Sequence, residues 1–200
     1  MKSHALMLTV AAAALFAVAG CTNNNNANKS ETAQTPAAKK VAGDKTIAAG
    51  LTSDVKFMAA AKAAGLDQTL AGPGPYTVLV PDDVAIDGAP AGTFDAKSDN
   101  RAQLTGVLTN LILSGTVMAA DIDKSIEAGK GKAVLATMGG GTLTATKDGD
   151  KIVLADASGH KATVTQADQQ FSNGVVHHIN AALLPAKGGA AKPAVGDKAG

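Results

Sequence analysis

The sequence predicts an α+β domain, with helices gathered in its first half and short antiparallel strands in its second. Three observations carry this. Apolar residues recur at helical spacing in segments between Asp54 and Ile112. From Ala133 onward the pattern turns to short runs separated by turn formers. Among those turns, Lys147-Asp148-Gly149-Asp150 is the strongest hairpin signal, because Asp-Gly accepts the positive φ that a tight primed turn demands. No unit repeats, which excludes a solenoid or an array.

In the first half, Phe57, Ala60, Ala61 and Ala64 share one face and Gly65 supplies a stop. They predict a helix from about Asp54 whose small residues allow close packing. Gly72-Pro73-Gly74-Pro75 forces a break, and Tyr76-Thr77-Val78-Leu79-Val80 reads as a strand that Pro81 ends. Asp82 and Asp83 stand where a helix N-cap would be. Leu104, Val107, Leu108, Leu111 and Ile112 follow the helical period behind the cap candidates Asp99 and Asn100, which predicts a second helix closed by Ser114-Gly115. Ile122 and Ile126, followed by Gly129, predict a short helix over residues 121–128. The strands expected next are 133–138, 142–146, 151–155, 160–166 and 175–180, with Gly139-Gly140-Gly141 as a flexible turn.

Composition bounds the function. Two hundred residues, 46% of them hydrophobic, make one compact domain with accessories. Eighteen basic residues against 17 acidic ones give no basic surface of the density that phosphate binding needs. With no tryptophan, one tyrosine (Tyr76) and four phenylalanines, the chain also lacks rings for base stacking, so nucleic acid is not expected as a partner. The core must be aliphatic and alanine-rich.

Residues 1–20 read as a secretion signal: Lys2, then an apolar stretch from Ala5 through Val18 too short for a comfortable membrane span. Its end, Val18-Ala19-Gly20-Cys21, resembles the lipobox of bacterial lipoproteins, in which cleavage between Gly20 and Cys21 frees an amine and the thiol receives a diacylglycerol. Cys21 is the only cysteine and can form no internal disulfide. The resemblance implies a protein tethered to the membrane through lipidated Cys21, since several acyl chains on one residue give stable anchoring. Thr22 is not the aspartate that favours inner-membrane retention, so the outer membrane is expected, with the domain facing the periplasm or the cell surface. Residues 21–44 have the composition of a flexible tether, 45–185 form the domain, and 186–200 lack any apolar pattern and read as a disordered tail. The domain holds 11 basic and 14 acidic residues, a net −3 that the tether (+1) and the tail (+2) cancel in the mature chain.

Constellations that could carry chemistry are few. His177 and His178 are adjacent on a strand and so point to opposite faces, one inward and one exposed, and cannot chelate one ion without a bulge. His160 lies on another strand, no cofactor is indicated, and no metal site is expected. There is no Gly-x-Ser-x-Gly elbow for a hydrolase, and Gly139-Gly140-Gly141 lacks the Lys-Ser/Thr of a phosphate cradle. Asp82 and Asp83 read as caps rather than as an acid/base pair. The chain is not expected to be an enzyme.

Residues 74–86, Gly-Pro-Tyr-Thr-Val-Leu-Val-Pro-Asp-Asp-Val-Ala-Ile, and residues 172–185, Ser-Asn-Gly-Val-Val-His-His-Ile-Asn-Ala-Ala-Leu-Leu-Pro, resemble the two signature segments of the fasciclin (FAS1) domain. Ala63-Ala64-Gly65-Leu66 and Pro90-Ala91-Gly92-Thr93 are also similar, so the resemblance spans residues 45–185. It implies an antiparallel β-sandwich-like wedge flanked by several α-helices. The family's central Tyr-His pair falls on Asn110-Leu111, which leaves His177 to another partner. Asp82 replaces the usual threonine after the proline, and Ile86 the usual aromatic. The Asp-Ile motif with which animal relatives engage integrins reads Asp168-Gln169, so integrin binding is not implied.

The resemblance implies extracytoplasmic adhesion, with a glycan, matrix component or cell-surface protein as partner and Asp168, His177 and His178 as candidate binding residues. Because some relatives bind carotenoids, the alternative is a carrier of a small hydrophobic molecule seated in an apolar groove between helix and sheet.

Overall fold

The computed structural model describes residues 43–95 and 100–186. The signal segment, Gly20 and Cys21, most of the tether, the cap candidate Asp99 and nearly all of the tail lie outside the described residues. The helices are α1 (Ile47–Gly50), α2 (Val55–Ala64), α3 (Asp67–Ala71), α4 (Asp83–Asp87), α5 (Arg101–Asn110) and α6 (Ala119–Ala128). The strands are β1 (Tyr76–Pro81), β2 (Ile112–Ser114), β3 (Ala133–Ala136), β4 (Thr142–Asp148), β5 (Lys151–Ala155), β6 (Lys161–Phe171) and β7 (Gly174–Ile179).

These strands form a seven-stranded sheet in the order β2-β1-β7-β6-β5-β4-β3. Its two ends approach each other through an antiparallel bridge between Leu113 and Thr137 and a bond from the Met138 N–H to the Ile112 carbonyl (2.7 Å), so the sheet curls nearly shut. β6 makes the bend possible. Its first residues pair with β5, its later ones with β7, and the register shifts twice between Val164 and Gln169.

Three sequence expectations are corrected. The sheet is mixed, because β1 and β7 run parallel, Tyr76 opposite Gly174 through Pro81 opposite Ile179. Both strands are buried on almost every residue, as expected of a parallel pair covered on both faces. The helical period through Leu111 and Ile112 is interrupted: α5 stops at Asn110, and Ile112–Ser114 pairs with β1 instead. Three ladder partners outweigh one more helical turn. Finally, Asp82 occupies the N-cap position of α4 but makes no side-chain capping bond, and Asp83 sits in the first turn beside the positive end of the helix.

Local chemistry elsewhere follows the sequence. Gly65 ends α2 in the left-handed region (φ 77°), and the Gly149 φ of 59° at the first turn position fits the two-residue β4–β5 hairpin. The core is aliphatic: Leu79, Leu104, Leu108, Ile112, Ile122, Leu143, Leu154, Val176 and Ile179 are buried with Phe57 and Phe171. Ala60, Ala61 and Ala64 are buried too, and α2 packs on α5.

Candidate functional site

Two places gather polar side chains: the joint where β6, β7 and the start of α6 meet, and a groove at the far end of β7. At the joint, His177 is fully buried. Its Nδ1 accepts the Asp168 backbone N–H (3.1 Å), which fixes the tautomer and makes Nε2 the donor to the Val117 carbonyl (2.8 Å). Burial pushes the imidazole below its ordinary pKa, and the neighbouring His178 acts in the same direction; the Val117 carbonyl and the Asp168 charge oppose it. The ring is therefore neutral with both nitrogens engaged. Asp168 lies within the second β6 register shift at φ 61°, and its carboxylate accepts the Ala119 N–H (2.8 Å) at the first turn of α6. Thr77 completes the joint, donating to the Gly115 carbonyl and accepting the Val117 N–H, both at 2.8 Å.

The structure thus brings Asp168 and His177 together in one network and puts His178 elsewhere. His178 is not exposed as expected. Its side chain is 12% accessible because Asp54, at the start of α2, covers it and meets its Nε2 at 3.1 Å. Asn110, where the family's Tyr-His pair falls, is buried, with Oδ1 3.4 Å from the Thr137 hydroxyl and Nδ2 unpartnered.

Two residues not singled out by the sequence reading do more. Asn173, in the turn between β6 and β7, accepts the Ile47 N–H and donates to the Leu70 and Gly72 carbonyls, all at 2.8 Å, so one buried amide ties α1 and α3 to the sheet. Asn immediately before Gly in a turn was the available signal. Asp156, after β5, accepts four N–H groups: those of Ser158 (2.8 Å), His160 (3.0 Å) and Leu184 (2.9 Å), and the His160 Nδ1–H (2.8 Å). Burial alone would raise its pKa, but these bonds and the imidazole outweigh that and hold the carboxyl below its usual range.

Beside that pair runs a groove of about 480 Å³. Its apolar lining includes Val84, Ala85, Pro90, Ala182 and Leu184, and its polar lining is His160, Lys161 and Asn180. Among the described residues no cluster of three or more histidine, cysteine, aspartate or glutamate side chains could hold a metal ion.

A fasciclin-domain family model matches residues 55–185. The chain belongs to this family. Protein sll1483 of Synechocystis sp. is 35% identical over 142 residues, which are 70% of this chain and 71% of that protein. Transforming growth factor-beta-induced protein ig-h3 of Sus scrofa is 32% identical over 64% of this chain, but the match spans only 17% of its length. A solved FAS1 domain pair from the insect cell adhesion molecule Fasciclin I superposes with a TM-score of 0.52 at 21% identity, covering 64% of this chain and 44% of that one. That likeness concerns the fold. The fasciclin domain here therefore carries its second signature segment as structure: Asn173 and His177, both within it, are bonded to the backbone of other elements.

Proposed function

We propose that this fasciclin domain is an adhesion module, anchored to the outer membrane through lipidated Cys21 and held at the periplasmic or cell surface by the tether. It acts by binding a glycan, a matrix component or a cell-surface protein, not by catalysis. The observation that carries the reading is the joining of a fasciclin domain, matched over residues 55–185, to a segment ending at Cys21 that resembles a lipobox. The naming of a structural relative as a cell adhesion molecule supports it. His177 is the least suited of the candidate binding residues, because it is buried with no free ring nitrogen, and one oxygen of Asp168 is already committed to α6. An outward partner has to use other surface. The test is cell aggregation and binding to glycan and cell-surface preparations, comparing the native strain, a deletion, and a deletion complemented with the gene. Unchanged aggregation together with no saturable binding by the purified protein removes the reading.

One observation favours a second reading, carriage of a small hydrophobic molecule: the groove beside His160 lies in the size range of small-ligand sites.

A further inference from the structure

The groove has a direction. Val84, Ala85, Gly88, Ala89 and Pro90 of the α4 region form one wall, and Ala181, Ala182 and Leu184 after β7 form the other. Small side chains give it a smooth apolar bed suited to a straight aliphatic chain. The polar groups come from His160, just before β6, Lys161, its first residue, and Asn180, just after β7.

Two of those three, His160 and Asn180, are set by separate contacts. The Asn180 Oδ1 accepts the Thr163 N–H (2.7 Å), which leaves its Nδ2 as a donor. The His160 Nδ1–H is committed to Asp156, so only Nε2 remains for a ligand. Lys161 is exposed and has no carboxylate partner among the described residues. Among the described residues no aspartate or glutamate lines the groove, although the domain as a whole is acidic by three charges. The nearest buried acid, Asp156, is already surrounded by four N–H groups. An apolar bed flanked by the Lys161 ammonium and the Asn180 amide N–H complements an apolar ligand bearing one anionic head.

We propose that this groove binds an amphipathic monocarboxylate, with its alkyl chain between α4 and the Ala181-Ala182 segment and its carboxylate on Lys161 and Asn180, His160 Nε2–H adding a third donor when the ring is protonated. The proposal rests on the carriage reading and specifies its ligand class. The volume suits a chain of about ten carbons.

The test is calorimetric titration of the full-length chain, carrying Cys21→Ser to keep it free of acyl groups, with decanoate, 1-decanol and decyltrimethylammonium. The leader is common to every variant, so differences between variants read the groove. Decanoate is expected to bind about fivefold to tenfold tighter than decanol, and the ammonium weakest. Lys161→Gln is expected to remove the preference for decanoate over decanol, and Val84→Asp to weaken decanoate at least about fivefold. Both positions are exposed, Val84 at 83%, so neither variant should shift the melting temperature. Equal binding of decanoate and decanol, or a preference that survives Lys161→Gln, overturns the head-group assignment and leaves carriage standing. Failure of all three probes to bind removes both.

Discussion

Replacing Asn173 with alanine should loosen the domain markedly. The side chain makes three hydrogen bonds, each 2.8 Å long, two of them buried, to Ile47 and Leu70, and one part-buried, to Gly72. Each contributes about 0.5–1.5 kcal/mol net, and leaving the Ile47 N–H without a partner costs more than the lost bond, so the total is roughly 3–5 kcal/mol. For a domain of this size that lowers the melting temperature by about 10–15 °C. The assay is urea unfolding followed by circular dichroism, with Asn180→Ala as the control. Asn180 also accepts a backbone N–H, from Thr163 at 2.7 Å, but in an exposed setting where water replaces it, so that change should cost less than about 1 kcal/mol. Asn173→Asp keeps the acceptor for Ile47 yet turns a carboxylate oxygen toward two carbonyls, and is expected to be at least as damaging as alanine. A loss below about 1.5 kcal/mol for Asn173→Ala, or one equal to that of Asn180→Ala, would refute the reasoning.

Other perturbations address the joint, the sheet and the anchor. His177 has its folded pKa depressed by burial, so between the ordinary histidine value of about 6.5 and that lower value the unfolded chain binds a proton that the native one does not. Its contribution is intact above that window and is lost as pH falls through it. The urea midpoint should therefore drop between pH 7.5 and 5.0, and His177→Gln should show a shallower drop than the native protein; parallel pH profiles would count against a buried neutral imidazole. A Cβ on Gly174 would overlap the Tyr76 carbonyl oxygen and press on the Ile47 side chain, so Gly174→Ala should force β1 from β7 and cost about 2 kcal/mol or more, read by thermal melting. Cys21→Ala should move the protein from the membrane pellet to the soluble or unprocessed fraction after fractionation, and retention of a processed protein in the pellet would argue against the lipid anchor.

What the sequence makes legible is local. The Asp148-Gly149 hairpin, the Gly65 stop of α2 and the aliphatic character of the core depend on neighbours in the chain, and each appears where its signal lies. The parallel pairing of β1 with β7 joins residues nearly a hundred positions apart, and no period reports it. Ile112 shows the conflict directly: its spacing belongs to a helix, but the edge of β1 claims it. The candidate site divides the same way. Asp168 and His177 are within reading distance of each other, yet their common use, one capping α6 and the other anchoring the Val117 carbonyl, depends on a loop some fifty residues upstream. His178 looked free because Asp54, which covers it, is separated by 124 residues.

The position of β7 has a consequence for how the chain is made. Among the described strands it is the last to be synthesised, and it lies between β1 and β6, holding the two arms of the sheet together. Until about residue 179 has emerged, β1 and β2 on one side and β3 to β6 on the other have no shared partner in the middle. Assembly is consequently a late event dominated by distant pairings, and a nascent fragment that stops short of residue 174 exposes two open strand edges at once.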